Sequence, residues 1–203
     1  MPRIGMETQR RAALVDAAIA EIGARGALDV TVGRIAGRAG VSSALAHHYF
    51  GSKDRILTEA MRHILRMLGR DLRAELAHAR TPRARLGAIL RASFSAQSFR
   101  REVIAAWLTF YVHAQISDDA NRLLTLYQRR LRANLMHALR PLMAGDPAWL
   151  ADSVAALIDG FYIRQARQGA RADAFATIAA IEAVIDAGLA QDAARHAQTE
   201  VSR

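Results

Sequence analysis

The 203-residue sequence has no cysteine, only four prolines and few aromatic residues, which make up 6% of the chain. Without cysteine it can hold neither a disulfide framework, nor a thiolate metal site, nor a cysteine nucleophile. The first residues also lack the apolar core of a signal peptide, because polar side chains appear at once. We therefore expect a cytoplasmic protein.

Long apolar runs are missing as well. The most apolar stretch, residues 103–116, contains His113 and falls short of the roughly 20 residues that a membrane span needs. Most segments place apolar residues at helical spacing, and none shows the sustained alternation of a strand. Since hydrophobic residues make up 52% of the chain and Ala, Leu and Arg recur throughout, the sequence predicts an all-α fold with no membrane partner.

Local start and stop signals divide the chain into nine predicted helices. Gly26 is expected to cap the end of the first one. The residues expected to begin later helices are Thr31, Ser42, Ser117 and Asp146, and Pro82 suits the first turn of a helix. The predicted ranges are 7–25, 32–39, 43–50, 53–79, 82–98, 102–115, 119–143, 147–168 and 172–189, with a polar tail from Gln191 that is expected to fray.

Residues 31–50 have the length and pattern of a helix-turn-helix, with two short helices joined at Gly40. Ala36 is small where the helices must cross, and Gly40 suits a turn that needs a positive φ. The residues predicted to face inward and set the crossing angle are Ile35, Ala39, Val41, Leu45 and Tyr49. The Ala-x3-Gly spacing alone fits an ordinary helical hairpin equally well.

The opposite face of the second short helix carries side chains suited to base edges in a major groove, namely Ser43, Ala44, His47 and His48. Hydroxyl groups, helix N-termini and Lys53 around it suit phosphate groups. The predicted DNA-binding residues are Thr31, Gly33, Ser42, Ser43, Ala44, His47, His48, Tyr49 and Lys53. A formal charge of +9 agrees with an anionic partner but is a weak pointer by itself.

These residues carry a family resemblance. The order Thr31-Val32-x-x-Ile35-Ala36-x-x-Ala39-Gly40-Val41-Ser42, followed by His48-Tyr49-Phe50-x-x-Lys53, resembles the DNA-binding domain of TetR-type bacterial repressors. That family commonly has Gly where this chain has Ala44. Within the family, the chain resembles the choline-responsive repressors of glycine-betaine synthesis in the segments Met1-Pro2-x-x-Gly5-Met6, Ala106-Trp107-Leu108-x-Phe110 and Ala155-Ala156-Leu157-Ile158-Asp159-Gly160.

The resemblance implies a fold and a function. It implies a three-helix DNA-binding domain over residues 1–52, an effector-binding and dimerisation bundle over residues 53–190, and a tail over residues 191–203. It also implies a homodimer that binds double-stranded operator DNA, represses genes of choline uptake and glycine-betaine synthesis, and is released by choline. No cofactor, metal site or catalytic residue is predicted.

The effector half contains two patches of the scarce aromatic residues, which suit a quaternary ammonium because such a cation binds to aromatic faces. Asp159 lies in an apolar run and would supply the counter-charge. The predicted ligand-binding residues are Trp107, Phe110, Tyr111, Trp149, Asp159 and Tyr162. The alternative is that these aromatic residues are plain core and that Asp159 pairs with an arginine such as Arg164.

Two apolar stripes in the last long helices predict a four-helix interface between two copies of the chain. The stripe residues are Val154, Leu157, Ile158 and Phe161, then Ile178, Ile181, Ile185 and Leu189. Internal packing is the alternative. In a dimer, the two recognition helices would lie about 34–36 Å apart and read an inverted repeat. Ligand binding would then move the long helix 53–79 and alter that spacing.

Other classes of protein fit the sequence less well. The seven histidines have no metal-ligand spacing, and there is neither a glycine-rich phosphate loop nor a Gly-x-Ser-x-Gly elbow, so an enzyme is not predicted. An architectural DNA binder would not need a localised reading helix. The serious alternative is a TetR-type regulator that senses another cationic or lipophilic molecule.

Overall fold

The computed structural model describes residues 3–25, 30–168 and 173–201, and this part of the chain contains nine α-helices and no strand. The predicted all-α fold is therefore confirmed. The helices are α1 (Arg3–Arg25), α2 (Val32–Arg38), α3 (Ser43–Phe50), α4 (Lys53–His78), α5 (Pro82–Ser93), α6 (Arg101–His113), α7 (Asp118–Leu139), α8 (Ala148–Gln168) and α9 (Ala174–Val201), with a 3₁₀ turn at Arg140–Leu142.

The predicted helix starts are confirmed by hydrogen bonds to the capping side chains. Thr81 Oγ1 accepts from the Ala84 amide at 3.1 Å, just before Pro82 opens α5. Asp146 Oδ1 accepts from the Ala148 amide at 3.0 Å, and Ser117 Oγ accepts from the Ala120 amide at 3.4 Å. The predicted cap at Gly26 lies outside the described residues.

Two predicted helices are too long. The range 82–98 is wrong because α5 ends at Ser93, after which Ser95 Oγ donates to Asp71 Oδ2 at 2.8 Å and accepts from the Ser98 amide at 3.2 Å. These bonds replace helical ones. The range 119–143 overruns Pro141, which has no amide hydrogen and changes the helix to a 3₁₀ turn.

The tail from Gln191 is predicted to fray, and this expectation is wrong because α9 continues to Val201. Alanine recurs in this segment and has the highest helix propensity. Asp192 also anchors it, since the carboxylate is buried and accepts backbone amide hydrogens from Ala144 at 2.8 Å and from Gly145 at 3.2 Å. The sequence pattern alone did not reveal this contact.

The chain forms two compact units. The first comprises the residues up to Met67 together with Arg100–Leu124, so that α6 belongs to the same unit as the helix-turn-helix and packs against α1. Here α1 and α6 approach so closely that a Cβ atom at Gly23 would lie 2.6 Å from the Cα of Glu102. The second comprises Leu68–Phe99 and the residues from Thr125 onward. The predicted boundary at residue 52, between the DNA-binding domain and the effector-binding bundle, is a functional division that differs from these two compact units, and it stays a prediction.

Candidate DNA interface and effector site

The helix-turn-helix is built by two side-chain caps and one glycine. Thr31 Oγ1 accepts from the Arg34 amide at 3.3 Å, and Ser42 Oγ accepts from the Leu45 amide at 3.2 Å. Between the two helices Gly40 has a φ of 68°, a conformation that glycine adopts without the steric cost of a Cβ atom. The turn is fixed by its own sequence, as predicted.

The inner face of the motif differs in part from the prediction. Ile35 and Ala36 are fully buried, as expected for the crossing point of α2 and α3. Ala46 and Phe50, which the sequence analysis did not single out, are buried as well. The other residues predicted to face inward are only half-buried, namely Ala39, Val41, Leu45 and Tyr49.

The predicted outer face of α3 is exposed and consists of Ser43, Ala44, His47 and His48. These positions follow helical spacing, since residues four apart lie on one side of a helix. Gly33 is exposed at the start of α2, where a Cβ atom would lie 3.6 Å from Ser43 Oγ. The outer face of α3 and the start of α2 therefore form one continuous surface.

The four residues predicted to hold phosphate lie around this surface. Thr31 and Ser42 are exposed at the starts of α2 and α3, and Lys53 is half-buried in the first turn of α4. Tyr49 is half-buried, and the guanidinium of Arg11 lies 5.8 Å from the centre of its ring. Arg11 also lies 5.1 Å from the ring centre of Phe50, a cation–π contact with α3 that sequence reasoning missed.

A buried carboxylate joins α1 to α2. Arg38 Nε donates to Glu21 Oε1 at 2.6 Å, and Arg25 Nε lies 3.6 Å from the other carboxylate oxygen. The hydrogen bond from Arg38, together with the positive charges around it, lowers the pKa of Glu21 against the opposing effect of burial. This ion pair ties the first helix of the motif to α1.

The first predicted aromatic patch lies on α6, in the first compact unit. Trp107 and Phe110 are each only 2% exposed, with ring centres 6.3 Å apart, and Tyr111 lies 6.1 Å from Trp107. Phe110 also borders a small apolar cavity between α1, α4 and α6, which has room for about one water molecule. That cavity is too small for a quaternary ammonium ion.

The second predicted patch lies on α8, in the second unit, and the structure gives it different neighbours from those expected. Tyr162 is 4% exposed, and its hydroxyl donates to the backbone carbonyl of Ser93. Its ring stacks on Phe94 with centres 5.6 Å apart and meets Phe99 edge-on at 5.9 Å. Phe94 and Phe99 flank the turn that the sequence analysis had assigned to a helix.

A carboxylate lies beside these rings. Tyr127 Oη donates to Asp159 Oδ1 at 3.4 Å, and Asp159 is half-buried. Burial, and then the negative charge of Asp159, raise the pKa of Tyr162. We call these five residues the aromatic–carboxylate cluster, made of Phe94, Phe99, Tyr127, Asp159 and Tyr162. Several ring faces and one carboxylate are the groups that a quaternary ammonium binds.

Sequence reasoning identified two members of this cluster and missed three. Phe94, Phe99 and Tyr127 are distant from Asp159 in sequence, and only the packing of the helices brings them together. Trp149 does not belong to the cluster, because it lies about 15 Å along α8 from Asp159 and is 43% exposed. The remaining predicted ligand residues, Trp107, Phe110 and Tyr111, lie in the other compact unit.

The predicted dimer stripes are partly wrong. Val154, Ile158, Ile181 and Ile185 are buried within the chain, so they cannot contact a second copy. The apolar side chains left exposed on α8 and α9 are Trp149, Ile163, Phe175 and Val184. By length and composition, Ala174–Gln198 of α9 is apolar enough to cross a membrane: its most apolar window has a mean hydropathy of 1.4, and 22% of that window is buried. Exposed apolar side chains that lie together are typical of interaction surfaces.

Comparison with known proteins places both halves of the chain. The profile of the bacterial regulatory proteins of the tetR family matches residues 14–60, and that of the C-terminal domain of BetI-type transcriptional repressors matches residues 82–190. An HTH-type transcriptional regulator BetI from Brucella melitensis is 56% identical over 183 residues, which are 90% of this chain and 92% of that protein.

Two solved structures have a similar fold. A transcriptional regulator from Pseudomonas aeruginosa PAO1 superposes with a TM-score of 0.77 at 29% identity, covering 91% of this chain and 92% of that one. A regulator from Saccharomonospora viridis, solved in complex with choline, superposes with a TM-score of 0.75 at 23% identity, covering 88% and 96%. The described residues contain no group of histidines and carboxylates that could hold a metal ion.

Proposed function

Because the chain belongs to the BetI-type repressors of the TetR family, a class of DNA-binding transcriptional regulators and not of enzymes, we propose that it represses genes of choline uptake and glycine-betaine synthesis. In this proposal choline releases it from its operator, and it needs no cofactor besides this effector. The observation that carries the choline assignment is the aromatic–carboxylate cluster, which brings four aromatic rings and a carboxylate together.

On the DNA side, the proposal assigns base contacts to the outer face of α3. The exposed side chains of Ser43, Ala44, His47 and His48 would enter the major groove. The phosphate contacts would come from Thr31, Ser42, Tyr49 and Lys53, with Gly33 allowing close approach of the backbone at the start of α2. The protein would act on DNA in the bacterial cytoplasm.

On the effector side, the proposal places choline at the aromatic–carboxylate cluster. Asp159 is half-buried and accepts a hydrogen bond at 3.4 Å from Tyr127. In the proposal its carboxylate balances the charge of the cation, and each aromatic face would add about 0.5–2 kcal/mol, depending on desolvation. The choline-bound Saccharomonospora viridis regulator, which shares the fold, supports a choline site on such a scaffold.

A homodimer completes the proposed repressor. On α8, Ala156 and Ile163 are exposed and Gly160 is half-buried, and on α9 Phe175 and Val184 are exposed. Nothing lies within 4 Å of a Cβ atom built at Gly160, which leaves room for a second helix to approach. Together α8 and α9 of two copies would form a four-helix interface. Replacing Val184 with Glu should give a monomer in sedimentation velocity, and a dimer that persists would contradict this interface.

The experiment that tests the proposed function is a fluorescence-anisotropy titration on the chain's own upstream promoter fragment at physiological salt, with and without millimolar choline. Typical coupling of about 1–3 kcal/mol predicts that saturating choline weakens operator binding roughly 5- to 150-fold. Asp159→Asn should abolish this response while leaving DNA binding without choline intact. The matched control is Asp152→Asn, the same change on α8 at an exposed carboxylate that pairs with Arg132 at 2.6 Å.

Each outcome decides between readings of the site. Specific binding that choline does not affect would support the assignment as a DNA-binding regulator. It would overturn choline as the effector in favour of another cationic or lipophilic molecule. A normal choline response in the Asp159→Asn variant would support choline as the effector but show that it does not bind at the aromatic–carboxylate cluster. Binding without preference for the promoter fragment, with a steep dependence on salt, would overturn the specific repressor altogether.

A further inference from the structure

The side chain of His47 is held in one tautomer by the end of its own helix. Its Nδ1 lies 3.2 Å from the carbonyl oxygen of Gly51, and the Gly51 amide in turn donates to the carbonyl oxygen of His47 at 2.7 Å. A carbonyl oxygen can only accept a hydrogen bond, so Nδ1 must carry the proton. Gly51 can close this reciprocal pair because its φ of 75° suits glycine.

The consequence concerns the other ring nitrogen. In a neutral imidazole with its proton on Nδ1, Nε2 has a free lone pair and acts only as an acceptor. Nε2 of His47 receives no hydrogen bond from the described residues, and the side chain is exposed on the outer face of α3. The neighbouring His48 differs, because its ring packs against Tyr49 with centres 5.6 Å apart.

Among major-groove edges, only cytosine N4 and adenine N6 offer a hydrogen-bond donor, whereas guanine and thymine offer acceptors there. We propose that His47 is a specificity-determining residue whose Nε2 accepts a hydrogen bond from the exocyclic amino group of a cytosine or an adenine. This inference rests on the proposed function, in which α3 lies in the major groove. His47 thus selects against guanine and thymine at one position of each half-site.

The first test is a single-base substitution scan of the promoter operator with the full-length wild type, His47→Ala and the control His48→Ala. At one position of each half-site, the wild type should prefer adenine or cytosine on the strand facing α3 by about 2- to 12-fold, as for one neutral hydrogen bond. In His47→Ala that preference should vanish while preferences elsewhere persist. In His48→Ala the preference at this position should remain, and any preference that His48 itself confers should be lost at another position.

Base analogues then identify the donor without altering the protein. If the preferred base is adenine, purine, which lacks N6, should cost the wild type the same factor, whereas 7-deaza-adenine, which keeps N6 but lacks N7, should cost nothing. If it is cytosine, 2-pyrimidinone, which lacks N4, takes the place of purine. His47→Ala should lose nothing further with either analogue.

Several results would overturn the inference. Loss of the base preference in His47→Ala at a position where the wild type prefers guanine or thymine would show that Nε2 donates a hydrogen bond instead of accepting one. So would loss of affinity with 7-deaza-adenine but not with purine. If His47→Ala removes the base preference at no position, His47 contacts no base. Absence of any specific operator complex would overturn the proposed function and this inference with it, whereas specific binding without an amino-group preference overturns the inference alone.

Discussion

The helix-turn-helix and the aromatic–carboxylate cluster are assembled in different ways. The first draws its caps, its turn and its outer face from one stretch, residues 31–53, in which each feature depends on a near neighbour in sequence. The second takes five side chains from the segment that follows α5, from α7 and from α8. The local motif is therefore sensitive to backbone conformation and capping, whereas the cluster is sensitive to burial and to charge. Five predictions test this difference.

The largest effect is expected from removing the centre of the motif. Ile35 is fully buried where α2 crosses α3, so Ile35→Ala should lower the free energy of unfolding by about 2–5 kcal/mol and weaken operator binding with it. Urea unfolding followed by circular dichroism measures the first quantity. Arg34→Ala, at the exposed neighbouring position, should change stability by less than about 0.5 kcal/mol. Equal losses in the two variants would mean that the motif has no packed centre.

The next effect tests the cluster through one hydroxyl group. Tyr162→Phe leaves the carbonyl of Ser93 without the hydrogen bond that the buried hydroxyl now donates, which should cost about 1–3 kcal/mol of unfolding free energy. Tyr49→Phe makes the same change at a half-buried ring of α3 and should cost about 0.5 kcal/mol or less. A smaller loss for Tyr162→Phe than for Tyr49→Phe would contradict the buried hydrogen bond.

The same tyrosine makes the cluster sensitive to alkaline pH. Because burial and Asp159 raise the pKa of Tyr162 above its ordinary value of 10.0, the unfolded chain releases this proton first as the pH rises. The stabilisation is fully present below about pH 10 and is lost above it. The free energy of unfolding, measured with urea between pH 8 and pH 11, should therefore fall more steeply with pH for the wild type than for Tyr162→Phe. Parallel curves would show that Tyr162 titrates as freely in the fold as in the unfolded chain.

These contrasts also explain which features the sequence could predict. Thr31, Gly40 and Ser42 act within three or four residues of their partners, so their roles follow from residue type and spacing. Phe94 and Phe99 meet Tyr162, and Tyr127 meets Asp159, only through the packing of helices. No local pattern marks these three residues. Asp192 shows the same limit, because its partners are amides 47 and 48 residues away.

The sequence predicted which face of a single helix is apolar, but not which helix packs against that face. The stripes on α8 and α9 were recognised, but helical spacing cannot tell an internal neighbour from a second copy of the chain. Val154 and Ile181 proved to be internal, whereas Ile163 and Val184 remained exposed. Likewise, the spacing of Trp107 and Phe110 predicted a shared helix face but not which compact unit that face belongs to.

A pair of glycines tests the local motif with smaller effects of opposite sign. Gly40 has a φ of 68°, so Gly40→Ala should cost about 1–2 kcal/mol through the left-handed conformation alone. Gly37 lies in α2 with nothing within 4 Å of an added Cβ atom, so Gly37→Ala should stabilise by about 0.5–1 kcal/mol. Thermal unfolding of the two variants should move in opposite directions, and a shift of the same sign in both would contradict a turn fixed by Gly40.

The smallest effect concerns the ion pair that joins the motif to α1. Arg38 lowers the pKa of Glu21 from its usual 4.5, so the unfolded carboxylate binds a proton first as the pH falls. The contribution of Glu21 is present above about pH 5 and is lost through the acid range; it should be modest, because the Arg38 side chain is 46% exposed and solvent screens it. In urea unfolding, the gap between wild type and Glu21→Gln should be widest at pH 7 and close towards pH 3. The difference in unfolding free energy between wild type and Arg38→Gln should close in the same way, because this variant removes the group that lowers the pKa of Glu21. A difference that stays constant with pH would show that Glu21 stabilises the motif by packing instead of by charge.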